Sequence, residues 1–465
     1  MKLKFCGAAR EVTGSAHLIT LDDGYTILLD CGMYQGNSDS MKDFNEHWLF
    51  DPAQLDCVVL SHAHIDHSGR LPKLVKDGFK GQIYSTPATR SLCAIMLLDS
   101  ALIQERDAEY ANKHHRRNRE ERVPLYREAD VKEAMTRFVT FSYGKKFELR
   151  PGVTVEFRDA GHILGSASVA LTITEGGKTT RLGFTGDVGR PNRPILRDPQ
   201  PMDPMDFLLS ESTYGDRLHD AAPQEINRLL HIIAETCLKH RGKLIIPAFS
   251  IGRTQEIVYI LDQLENAGQL PPVPVYVDSP LAVNATLLYG SHPECYDAEL
   301  SKYILKDPNP FGFARLKYIK EVEDSKRLNF SEEPCIIISA SGMANAGRVK
   351  HHLFNNIENS RNTVLIVGYA SPDTPAGRLR DHAKTLRLFG EEKQVRCHVE
   401  IMDSFSAHAD RDELSGFLSN QRPSAKRLFL VHGDYEVQQN FKSLLLKQGF
   451  HRVEIPKLGE EVELG

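Results

Sequence analysis

From residue 1 to about 190 the chain alternates short apolar runs with Gly, Asp and Asn: HLIT (17–20), TILLD (26–30), CVVLSH (57–62), VTVEFRDA (153–160), SVALTI (168–173) and RLGFTGD (181–187). Runs this short, bounded by turn residues, predict strands, and several end on Asp or on a His-rich loop. Polar side chains are therefore expected along one edge of a strand-rich core, where sites usually sit. The stretch RDPQPMDPMD (197–206) carries three prolines in ten positions, and a differently patterned region opens after it with FLLSES (207–212). A boundary near 210 follows.

Beyond that boundary Ile226, Leu229, Leu230 and Ile233 recur at helical spacing, KLIIPAF (243–249) reads as a strand, and Ile257, Ile260, Leu261 and Leu264 return to helical spacing. PVYVDS (274–279), CIIISAS (335–341) and TVLIVGYAS (363–371) continue the alternation, which predicts a parallel sheet of Rossmann type. It contains no G-x-G-x-x-G, so its Gly-rich turns read as simple connections and give no support to a nucleotide cofactor. Residues 107–122 (DAEYANKHHRRNREER) are strongly charged, with Lys113, Arg116, Arg117, Arg119 and Arg122 in one segment. A solvated helix face accounts for them; the other reading is an arm that follows a phosphate backbone.

At 465 residues the chain exceeds one ordinary core, so two domains or one interrupted by an insertion are expected. Its 41% hydrophobic and 26% charged residues are ordinary for a globular protein. The formal net charge of −5 gives no basic footprint and counts against a nucleic-acid coat protein, though not against a nuclease that grips one phosphate locally. Eight scattered cysteines without a C-x-x-C pair read as buried free thiols in a reducing, cytoplasmic setting. An N-terminus interrupted early by Gly and Arg, and the lack of any 18-residue apolar run, argue against export and membrane spanning.

The strongest chemical signal is Ser61-His62-Ala63-His64-Ile65-Asp66-His67, directly after the strand 57–60. In so tight a turn His62 and His64 can point one way, while Asp66 and His67, opening the next helix, point to an adjacent spot, which suits two neighbouring metals. Two metals need further ligands from other strand ends. His162, in Ala160-Gly161-His162, and Asp187, ending Phe184-Thr185-Gly186-Asp187, meet that need, with small neighbours that allow close approach.

H-x-H-x-D-H, then a Gly-His loop, then a T-G-D strand end, resembles the metallo-β-lactamase superfamily along essentially the whole chain. Further markers narrow the resemblance to its β-CASP nucleases: Glu211 in Glu211-Ser212-Thr213-Tyr214-Gly215, His408 in Ser404-Phe405-Ser406-Ala407-His408-Ala409-Asp410, and His432 in Leu430-Val431-His432-Gly433-Asp434. The set is similar to the endonuclease subunit of the cleavage and polyadenylation machinery and its bacterial and archaeal relatives. The resemblance implies an αββα sandwich (1–209 and 403–465) interrupted by a Rossmann-like β-CASP domain (210–402). It implies two Zn²⁺ per chain: His62, His64 and His162 on one, Asp66, His67 and His432 on the other, and Asp187 bridging.

By the same resemblance Asp30 supports the metal loop without binding metal, Asp66 is also catalytic, and His408, oriented by Glu211, is the general acid. Ser406 would donate to a phosphate oxygen. Arg253, opening a helix in Pro247-Ala248-Phe249-Ser250-Ile251-Gly252-Arg253, is a candidate phosphate contact or, equally, a salt-bridge residue. His at 432, where DNA-processing relatives carry Val, points to RNA. The expected activity is RNA phosphodiester hydrolysis on single strands giving 5′-phosphate and 3′-hydroxyl ends, with the balance of endonuclease and exonuclease action left open, no membrane partner, and a homodimer as one possible assembly. The other classes are a thioester or lactone hydrolase, which leaves Glu211, His408 and the insertion unexplained, and a non-catalytic RNA-processing scaffold subunit, which the complete ligand set opposes.

Overall fold

The computed structural model describes residues 1–36, 41, 43–114, 121–219, 225–368, 370, 372–402 and 406–464. The chain divides into two compact units, one built from Met1–Leu218 with His408–Gly465, the other from His219–Ala407.

In the first unit the apolar runs become two seven-stranded sheets. One holds, side by side, Glu461–Glu463, Lys2–Phe5, His17–Thr20, Thr26–Leu29, Cys57–Val59, Gln82–Ser85 and Phe138–Thr140. The other holds Val453–Glu454, Arg427–Leu430, Phe207–Ser210, Lys178–Phe184, Ala167–Glu175, Val153–Asp159 and Lys146–Arg150. Side chains alternate across each strand, so Phe207 and Leu209 enter the core between the sheets while Leu208 faces outward. Leu208, Leu428 and Leu430 are covered there by Leu414, Leu418, Phe441 and Leu445 of the C-terminal helical segments. Helices Pro87–His114 and Glu128–Thr136 pack together beside the first sheet. This is the αββα layering expected of the fold.

Parallel pairing of Thr26–Leu29 with Cys57–Val59, and of Phe207–Ser210 with both Lys178–Phe184 and Arg427–Leu430, aligns the carboxyl ends of these strands. Those ends carry Asp30, the 61–67 turn, Asp187, Glu211 and His432. The same register that buries alternate apolar residues thus collects the polar ones at one edge.

The second unit is a six-stranded, wholly parallel sheet in the order Leu316–Tyr318, Val275–Asp278, Cys335–Ser339, Lys243–Pro247, Thr363–Val367 and His398–Met402. Counted within the unit this is 3-2-4-1-5-6, a relative of the usual dinucleotide-binding order 3-2-1-4-5-6 in which the fourth strand is slotted between the second and the first. Ile257, Ile260, Leu261 and Leu264 are all buried on helix Arg253–Asn266. Helix Glu225–Ile233 buries Leu229 and Ile233 but exposes Ile226. All eight cysteines are buried. Among the described residues no helix is long and apolar enough to cross a membrane. Of the basic segment, Lys113 and Arg122 are exposed, whereas Arg116, Arg117 and Arg119 lie outside the described residues.

Candidate metal centre

The turn after Cys57–Val59 leads into a short helix, Ile65–Ser68, whose N-cap is His64. Its backbone is pinned from two sides: Ser15 N donates to Asp66 O (2.7 Å) and Cys31 N to His67 O (2.7 Å). Gly32 lies so close that a Cβ there would stand 1.7 Å from Asp66 O, so only glycine admits this contact. Asp30 and His432 are non-glycine residues held at positive φ (59° and 47°), a conformation that costs energy and that the surrounding contacts must enforce.

Three imidazole nitrogens converge: His62 Nε2 and His162 Nε2 each lie 3.2 Å from His64 Nδ1. A second convergence sets His67 Nε2 3.1 Å from His432 Nε2, which is 3.4 Å from Asp66 Oδ2. Asp187 sits between them. Its Oδ2 lies 3.4 Å from His62 Nε2 and 3.5 Å from His162 Nε2, and its Oδ1 lies 3.2 Å from His67 Nε2. Each carboxylate oxygen therefore addresses a different group.

These separations fit metal coordination. A tetrahedral zinc with bonds of about 2.0–2.1 Å to nitrogen sets its ligand atoms roughly 3.3 Å apart, close to the distances just given, and two groups of candidate ligands each keep their ligand atoms within 4.8 Å of one another: His62, His64, His162 and Asp187; and Asp66, His67 and His432. Asp187 Oδ1 is buried without a hydrogen-bond partner, a costly state for an anion that a cation would relieve. Burial, reinforced by neighbouring imidazoles, holds the pKa of His64 down to about 3 and lowers those of His62 and His162, which favours the neutral ring, the form that ligates a cation. His67 is different: burial opposes its charge, but Asp187 and Asp30 raise it well above the ordinary imidazole value.

The nitrogens not aimed inward are tied down, which fixes the tautomers. His67 Nδ1 donates to Asp30 Oδ2 (2.6 Å), and His62 Nδ1 lies 3.0 Å from Ser61 Oγ, which itself donates to Asp30 Oδ2 (2.9 Å). His432 Nδ1 lies 3.1 Å from Thr213 Oγ1. Ser61 and Thr213 were not singled out from the sequence. Ser61 was signalled by its place beside His62, whereas Thr213 and His432 are 219 positions apart and nothing local links them. Because Asp30 orients ligands in both groups, Asp30→Asn is expected to weaken zinc binding by about 10- to 100-fold, measured by competition with a chromogenic chelator.

Beside Asp187 a third group forms. Glu211 is fully buried; its Oε1 accepts from Val188 N (2.6 Å) and faces His408 Nδ1 at 3.3 Å, and its Oε2 accepts from Thr213 N (3.3 Å). Burial works against charge on His408, but Glu211, then Asp187 and Asp66, raise its pKa to about 9. Its side chain keeps 18% exposure, enough for contact with a ligand. Ser406 is buried and its hydroxyl lacks a hydrogen-bond partner, while Asp403–Phe405 lie outside the described residues. Arg253 belongs to the second unit, where it is buried and paired with Glu256 one turn along its helix.

Three family descriptions match: the metallo-β-lactamase superfamily over residues 9–226, the Beta-Casp domain over 254–379, and the Zn-dependent metallo-hydrolase RNA specificity domain over 392–456. A curated relative, Ribonuclease TTHA0252 of Thermus thermophilus, is 35% identical over 99% of this chain and 100% of its own length. The chain belongs to the β-CASP branch of the metallo-β-lactamase superfamily. Another β-CASP-type relative, Transcription termination factor FttA of Pyrococcus abyssi, is 31% identical over 96% of this chain and 68% of its own length. A crystal structure of a protein of unknown function from Enterococcus faecalis V583 shares the fold, with a TM-score of 0.56 at 12% identity over 99% of both chains. The RNA specificity match takes in Ser406, His408 and His432.

Proposed function

We propose that this β-CASP protein is a ribonuclease that hydrolyses RNA phosphodiester bonds with two zinc ions. His62, His64 and His162 would hold one, Asp66, His67 and His432 the other, and Asp187 both. The observation that carries this reading is the division of Asp187, whose two oxygens face different ligand groups 3.2–3.5 Å away. A donor set of imidazoles and carboxylates suits zinc. When bound, such a metal pair activates water and offsets charge on the phosphoryl group.

The chain's own residues supply the rest. His408, kept protonated by Glu211, delivers a proton to the departing ribose oxygen. Ser406, with a hydroxyl free to donate, binds a phosphate oxygen. Water adds to phosphorus, the bond to the 3′ oxygen breaks, and that oxygen takes the proton from His408. RNA as substrate is supported by the name of the Thermus relative and by the RNA specificity match.

Chelation is expected to abolish cleavage and added zinc to restore it. Products should carry 5′-phosphate and 3′-hydroxyl ends, read by end-labelling and mass spectrometry. A 2′,3′-cyclic phosphate would show that the ribose hydroxyl, not water, attacks. Replacing the 2′-hydroxyl beside the cut by hydrogen should leave cleavage in place. A circular RNA in the same assay separates endonuclease from exonuclease action, because only the former opens it.

A further inference from the structure

We infer that Phe249 is a stacking platform for one unpaired base of an RNA strand, an inference that rests on the ribonuclease reading above. Phe249 is 40% exposed, although large aromatic side chains are normally well buried. Its backbone is nevertheless fixed. Thr254 donates to Phe249 O from both its amide (3.3 Å) and its hydroxyl (2.8 Å), and the preceding Ala248 N donates to Ser339 O (3.0 Å).

The ring is supported on one side. A Cβ added to Gly342 would stand 2.7, 2.8 and 3.2 Å from Cδ2, Cε2 and Cγ of the ring, so the ring lays a face on the glycine backbone. Any larger residue at 342 would displace it. Gly342 carries one face, and a ring already held in place costs little entropy on binding.

The position within the sheet points to a ligand. Connections diverge at two places on this sheet: the chain leaves Lys243–Pro247 toward Val275–Asp278 but its neighbour Thr363–Val367 toward His398–Met402, and it leaves Val275–Asp278 toward Leu316–Tyr318 but its neighbour Cys335–Ser339 toward Thr363–Val367. Such a divergence is the topological switch point, outside whose carboxyl edge open α/β sheets bind ligands. Phe249 follows Lys243–Pro247 at one of these divergences and Gly342 follows Cys335–Ser339 at the other. The neighbourhood is polar, with Ser250 Oγ 3.1 Å from Ser279 Oγ, and Ser341 Oγ 3.0 Å from Asn345 Oδ1. One flat apolar surface with hydroxyls on the residues next to Phe249 and Gly342 in the chain matches a nucleobase, apolar on its face and polar at its edge, better than it matches an apolar protein surface.

Steady-state cleavage of an unstructured RNA by the zinc-loaded enzyme tests this. Phe249→Ala should raise KM about 5- to 100-fold, the range for losing one base–aromatic stack, and Phe249→Trp should hold KM at or below the wild-type value. Phe330→Ala, removing another exposed aromatic of the same unit, should leave KM unchanged. An abasic nucleotide at one position relative to the cut should raise the wild-type KM to the Phe249→Ala level and add nothing in that variant.

Equal KM for wild type and Phe249→Ala, or abasic penalties of the same size in both, overturns the platform. So does an unchanged KM combined with altered self-association in light scattering, which would make the ring a protein contact. Should the wild type cleave no RNA, the ribonuclease reading fails separately. Indole emission of Phe249→Trp then decides the platform: quenching by the same RNA keeps it, and no quenching removes it.

Discussion

Asp187→Ala is expected to eliminate hydrolysis and to strip zinc from both positions, not from one. Each of the other candidate ligands would serve a single group, but the two oxygens of Asp187 are divided between His62 and His162 on one side and His67 on the other. Removing His162 alone should therefore leave the Asp66, His67 and His432 group intact, whereas removing Asp187 takes an oxygen from beside each. The loss extends beyond ligand count. Asp187, together with Asp30, raises His67 against the effect of burial, and its own carboxyl is held down by His432, His67 and His62, so removing it changes the charge balance of these imidazoles. Metal analysis by mass spectrometry, with cleavage measured in the same preparation, decides the matter. Near-normal zinc and full activity in Asp187→Ala would sink the two-metal reading, whereas loss of zinc from one position only would show that the carboxylate is not shared.

The reasons why some of this was legible in the sequence, and some was not, are physical. Strand ends were readable because each apolar run stops at a polar residue that a buried strand cannot accommodate, and Asp30, Asp187 and Glu211 all occupy such stops. Helix Arg253–Asn266 was readable because its apolar residues recur every three or four positions, as a single buried face requires. The pairing of Arg253 with Glu256 was likewise local, at three residues' separation. Strand order in the second unit was not readable. Alternating strands and helices dictate a parallel sheet but leave open which strands become neighbours, and the slot taken by Cys335–Ser339 between Val275–Asp278 and Lys243–Pro247 is decided by packing.

The outer partners of the metal ligands divide in the same way. Ser61 touches its own neighbour His62, so adjacency foreshadowed it, whereas the Thr213 hydroxyl reaches His432 only because Phe207–Ser210 and Arg427–Leu430 pair in parallel. The left-handed backbone at Asp30 and His432 left no mark in residue type either, since neither position is glycine. A resemblance could supply which residues matter, but not the contacts that hold them there.

His408 is expected to be required for chemistry and dispensable for zinc. It stands outside the His62–His64–His162 and Asp66–His67–His432 groups and forms a third with Asp187 and Glu211, in which its Nδ1 is directed at Glu211, 3.3 Å away, and lies 4.0 Å from Asp187. That environment holds a proton on the ring, which is what an acid for a departing ribose oxygen needs. His408→Ala should retain near-normal metal content and RNA affinity while its rate falls by about 10²- to 10⁴-fold, the usual contribution of a positioned acid. Glu211→Gln should also slow the reaction, because an amide cannot stabilise the imidazolium as a carboxylate does. Since both substitutions disable one proton donor, the double variant should be little slower than His408→Ala alone. Fully multiplicative losses would assign Glu211 a separate task, and its bonds to Val188 N and Thr213 N make a purely structural effect measurable by thermal denaturation. A substrate with sulfur as the leaving atom gives the sharpest separation. A thiolate departs without prior protonation, so the defect of His408→Ala should shrink on that substrate, whereas an undiminished defect, or zinc lost from the variant, would move His408 out of the acid role and into the coordination of metal.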